Sequence, residues 1–185
     1  MRGARIFIPF RALAAWHGCR RGVAALEFAM ILPVLLVMTF GALEGGLLLF
    51  DYHRLSEATR RGLREALIQP SIIDLADLGS SSVACTGSGG VSCGNATVDS
   101  SASFDAIVVA MRQVFPSLSA DNVTVTYADS GLDISGTGET VTPLITVGIT
   151  GLTYDFVAVK YLPGLPSDFD FPNFNTTRLA HTRLP

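Results

Sequence analysis

Histidine and cysteine are scarce in this chain of 185 residues, three of each. No histidine stands near Cys85 and Cys93 at zinc-ligand spacing, since His53 and His181 are remote in sequence, so no metal site is expected. Asp51, His53 and Ser56 are the one grouping with a triad-like composition. Neighbours on one helix at a polar boundary read as a solvated collar, so no catalytic residue, no enzyme activity and no cofactor is expected. Asp129, Asp133 and Glu139 lie in a glycine-rich turn that does not match an EF-hand loop and reads as solvated charge rather than a calcium site.

Charge is the other shortage. No charged residue occurs from Phe28 to Leu43, and Glu44 is the only one as far as Phe50. A helix rising about 1.5 Å per residue crosses the roughly 30 Å hydrocarbon layer over such a run. One transmembrane helix is expected over 23–50, which excludes a multi-span transporter. Arg2, Arg5, Arg11, Arg20 and Arg21 precede it with no acidic companion, whereas Arg54, Arg60, Arg61 and Arg64 beyond it are interleaved with Glu57 and Glu65. The basic flank stays in the cytoplasm and the C-terminal part is translocated. Of 13 basic residues, five lie ahead of Gly22, leaving eight against 16 acidic ones; such a surface repels phosphate, and nucleic acid is not a partner.

The order of signals is inverted relative to a secretory peptide, whose small-residue cleavage site follows its apolar core. Here the small residues Gly22, Val23, Ala24 and Ala25 come first, and the apolar run is too long for such a core. Within this stretch stands Glu27, a carboxylate whose burial in lipid costs about 2.5–3.5 kcal/mol on insertion scales.

A basic leader ending in glycine, followed at the fifth position by glutamate, resembles the type IV prepilin family. The run from Gly22 to Leu67 is similar to the TadE-like pseudopilins of the tight-adherence (Flp pilus) system, with Glu27-Phe28-Ala29, Pro33, Phe40-Gly41, Glu44 and a His53-containing polar exit into an Ala/Arg-rich helix. The resemblance covers a quarter of the chain. A mature chain starting with Val23 departs from the phenylalanine or methionine of many prepilins. The resemblance implies a leader over 1–22, cut between Gly22 and Val23 by a prepilin peptidase. It further implies other pilin-like subunits and the inner-membrane secretion and pilus-assembly machinery as partners, besides membrane lipid. Glu27 would pair with the new α-amino group of a neighbouring subunit. The alternative is that it snorkels to the headgroups from near the helix end.

Gly41 and Gly45 have the spacing that lets helices approach closely. Glu44 lies deep enough to need a partner, as a second subunit contact, unless helix tilt brings it to the far interface beside Asp51. Leu55, Ala58, Gly62, Leu63, Ala66 and Leu67 share one face, which predicts an amphipathic continuation of the helix over 51–69, ended by Gln69-Pro70.

The remainder, 70–185, reads as a periplasmic α+β domain. It opens with a Gly/Ser-rich loop over 79–94 that holds Cys85 and Cys93. Removal of Cys19 with the leader would leave these two as an even pair in an oxidising compartment, and a disulfide is expected. Periodicity predicts a helix over Ala102–Phe115 and strand-like runs at Val123–Tyr127 and Thr153–Leu162, and β-branched richness another at Val141–Thr150. A helix on a small antiparallel sheet follows. The stretch 163–185 reads as an irregular tail whose aromatics contact a neighbour. The expected function is a minor pilin-like subunit; the alternative is an uncleaved, signal-anchored periplasmic protein that binds a ligand or envelope partner.

Overall fold

The computed structural model describes residues 20–78, 81–131, 142–161 and 164–180. The leader up to residue 19, Cys19, Asp133, Glu139, Val141 and His181 lie outside them.

Helix α1 runs from Arg20 to Ala66 with Pro33 inside it. The chain divides into two units between Leu43 and Glu44. In the first, the described apolar side chains are exposed almost throughout, among them Val23, Leu26, Phe28, Met30, Ile31, Leu35, Met38 and Leu43. Among the described residues this is the one helix long and apolar enough to cross a membrane. From Gly22 to Leu43 it rises about 33 Å, close to the hydrocarbon thickness of a bilayer.

The second unit is an α+β domain. From Leu55 onward α1 turns one stripe inward: Leu55, Ala58, Leu63 and Ala66 are buried, as the 3.6-residue period requires. Each fully buried leucine contributes about 1.5–3 kcal/mol through apolar area removed from water. The helix ends at Ala66, three residues short of the expected stop at 69, and Gln69 N–H closes the last turn on the Glu65 carbonyl at 3.0 Å.

Among the described residues six strands follow in two sheets: β1 Ser82–Thr86, β2 Val123–Asp129, β3 Pro143–Ile149, β4 Thr153–Asp155, β5 Asp168–Asp170 and β6 Phe174–Leu179. The larger sheet has the order β1-β2-β3-β6, antiparallel throughout, and β4 pairs with β5 as a separate ribbon. Val123, Val125 and Tyr127 of β2 stand opposite Ile149, Val147 and Ile145 of β3, and all six are buried on one face. That face meets α1, where Thr59 Oγ1 lies 2.9 Å from Thr176 Oγ1 of β6. It also meets helix α2, Ser101–Arg112, whose Phe104, Ile107, Val108 and Met111 are buried. Ser100 caps α2 by accepting from Ser103 N–H at 3.3 Å. Gly62 lets α1 and α2 close together: a Cβ there would come within 2.6 Å of Met111 Cγ and 3.2 Å of Val147 Cγ1.

Three readings of the sequence need correction. The alternating run from Thr153 is a strand only to Asp155; Val157 to Val159 leave the sheet because their amides are turned onto a carboxylate, and a 3-10 turn, Val159–Tyr161, follows. The Gly/Ser-rich loop contains β1, whose Cys85 faces Val125. The stretch after residue 163 is not irregular within its described part, since it supplies β5 and β6. Its aromatics pack mainly on their own chain: Phe171 and Phe174 are buried, and Tyr52 of α1 meets the Phe174 ring edge-on at 4.9 Å.

Candidate functional site

Glu44 is 6% exposed, in a helix whose neighbouring side chains are mostly open. Its Oε1 accepts the backbone N–H groups of Val157 and Ala158 at 2.6 and 2.5 Å, and its Oε2 accepts that of Val159 at 3.0 Å. Three consecutive amides converging on one carboxylate form an anion cradle of the kind that successive main-chain N–H groups build. Hydrogen bonds to an ionised acceptor are the strong class, so a charge that would be costly in an apolar setting is accommodated here by its own chain. Burial first, then the negative charges of Glu44 and Asp51, pushes the nearby Tyr154 phenol above its ordinary range. The sequence marks Glu44 as needing a partner, yet the partners are backbone groups with no side-chain signature.

The cleavage candidates Gly22 and Val23 are exposed and lie within α1, and Glu27, one turn on, is exposed as well. Nothing among the described residues pairs with the Glu27 carboxylate. Gly41 and Gly45 have open space where a Cβ would stand. The structure therefore leaves Glu27 open while enclosing Glu44.

Cys85 and Cys93 are bonded to one another across eight residues, and Thr86 and Ser92 just inside them exchange both backbone hydrogen bonds at 2.9 Å. Closing so short a loop contributes roughly 2–3 kcal/mol through the unfolded chain. Without reductant, both thiols should resist alkylation in mature protein, and Cys85→Ser with Cys93→Ser should lower unfolding stability by about that amount. Rapid labelling of both cysteines in native protein would refute the pairing.

The remaining candidates do not assemble. Asp51 faces Arg54 at 3.7 Å, and His53 is exposed against the Tyr52 ring. Asp129 accepts from Gly131 N–H at 3.0 Å. Among the described residues no three His, Cys, Asp or Glu side chains gather as metal ligands. Sequence reading missed a basic cleft of about 440 Å³ between α1 and β6, lined by Arg60, Leu63, Arg64, Thr176 and Arg178. Arg178 joins it only through the sheet order, which no local pattern reveals.

Among the described residues, one membrane-length helix continues into an α+β domain, the arrangement of a membrane-anchored protein. Residues 22–64 match the family model described as TadE-like protein. No curated protein and no solved structure matches the chain.

Proposed function

We propose that this chain is a minor pilin-like subunit of a tight-adherence pilus or secretion apparatus. In this reading it is inserted in the inner membrane with its C-terminal domain periplasmic, and a prepilin peptidase cuts it between Gly22 and Val23. Other pilin-like subunits and the membrane assembly machinery are its partners. The observation that carries the reading is where the family match begins: at Gly22, the last residue of the inferred leader, running through the span and out along α1.

Cutting there creates an α-amino group that is largely positive at neutral pH. An unpaired Glu27 in lipid costs about 2.5–3.5 kcal/mol, so pairing it with a neighbour's amine favours association by up to roughly a few hundredfold. Glu27→Ala should therefore insert normally and still be cut, yet lose most cross-linking to other pilin-like subunits and most pilus-dependent adhesion. Glu27→Gln should behave alike, because the charge and not the volume is what matters. Wild-type cross-linking in both variants would leave Glu27 as an interfacial residue without an assembly role.

The uncleaved signal anchor keeps one observation in its favour. Helix α1 begins at Arg20 and passes through the Gly22–Val23 bond without a break, a conformation that shields a peptide bond from a peptidase. The processing experiment below separates the two.

A further inference from the structure

The corner that holds Glu44 has an outer surface carrying exposed apolar and aromatic side chains. Val157 is 70% exposed and Tyr161 79% exposed, with the chain's only lysine, Lys160, between Val159 and Tyr161 and its ammonium 5.2 Å from the Tyr161 ring centre. On α1, Leu47, one turn past Glu44, and Phe50 are exposed too. We propose that the Val157–Tyr161 corner rests in the headgroup region of the bilayer, as a collar at the point where α1 leaves the hydrocarbon.

Level decides the occupant. Glu44 follows Leu43, the last residue of the uncharged run, by one peptide bond. The three N–H hydrogen bonds to Glu44 hold Val157, Ala158 and Val159 within one side chain's reach of that level. Headgroup layers are about 5–7 Å deep on each side, so Leu47, roughly 4.5 Å farther along the axis, still falls within one. A tyrosine and a lysine flanked by valines is the composition that settles at this depth, the ring and alkyl stem in the apolar boundary and the polar ends in water. The adjoining ribbon carries Asp155, Asp168 and Asp170, which limits contact to headgroup depth. The proposal does not depend on cleavage or on pilus assembly.

The test uses the full chain in phosphatidylcholine vesicles containing phosphatidylglycerol. Trp16→Phe removes the only native tryptophan, and Tyr161→Trp then reports on the corner. Val109→Trp, at an exposed position of α2, is the control. Lipids brominated near the glycerol end should quench the probe at 161 about threefold or more over the control, with acrylamide quenching reduced in proportion, as for an interfacial indole. Equal acrylamide quenching at the two positions would overturn the proposal. Protection from acrylamide without quenching by brominated lipid would overturn it as well, because a protein would then be covering the corner.

Discussion

Coexpressed with a prepilin peptidase, the Gly22→Ala chain should stay at full length, while the parent should lose its first 22 residues and give an N-terminus reading Val-Ala-Ala-Leu-Glu. The expected difference is close to all or none. A Cβ at Gly22 meets no atom within 4 Å, and alanine favours a helix over glycine by about 1 kcal/mol, so the variant should fold and insert at least as well as the parent. A block would then report recognition at the scissile bond, not misfolding. N-terminal sequencing of membrane-extracted protein, beside a control prepilin that is cut in the same cells, gives the answer. An uncut parent would remove the pilin-like reading and favour the signal anchor.

Glu44→Ala should release the Val157–Tyr161 corner while the core of the domain remains folded. The variant strips three amides of their acceptor, and no other side chain is bonded to them among the described residues. The buried stripe of Leu55, Ala58 and Leu63 begins three helical turns farther on and is untouched. Cleavage at the corner by a nonspecific protease should rise at least roughly tenfold, the order expected when a locally closed segment loses even one of its three charge-assisted hydrogen bonds. The Tyr154 phenol should titrate lower than in the parent, because one of the negative charges raising it has gone, although burial, the larger cause, remains. Glu44→Gln keeps one acceptor and should fall between the two. Unchanged proteolysis together with an unchanged Tyr154 titration would show that the amides do not depend on the carboxylate.

What could be read from the residues divides along a physical line. The apolar run, the buried stripe of α1 and the inward face of α2 were legible because helical burial repeats every 3.6 residues and leaves its period in the sequence. Strand β2 was legible for the same reason at period two, and β3 through its β-branched residues. The run TYDFVAVKYL alternates equally well and still breaks after Asp155, because its backbone amides gain more from a carboxylate 113 residues earlier than from a ladder. Alternation records which side chains fit a pleated surface, and it is silent about competing acceptors. Strands β1 and β6 were missed because glycines, serines and an Asp-Phe-Asp-Phe-Pro stretch surround them, and the pairing that makes them strands is non-local. The two glutamates of the N-terminal helix looked alike as charges in an apolar setting. Only coordinates could separate them, one enclosed by its own chain and the other open.

Strand β6 also sets a timetable. It is the last described element, yet it pairs with β3 from Leu144 to Ile149, and its Phe174 and Thr176 meet Tyr52 and Thr59 of the first. Until residue 179 is made, β3 has one unpaired edge, and such edges recruit other chains. From Ile149 to Leu179 is 30 residues, so at about 5–20 residues per second the ribosome leaves that edge open for roughly 2–6 s. A message ending before Phe174 would make that interval permanent, yielding a sheet that seeks a strand from elsewhere in place of a smaller stable domain.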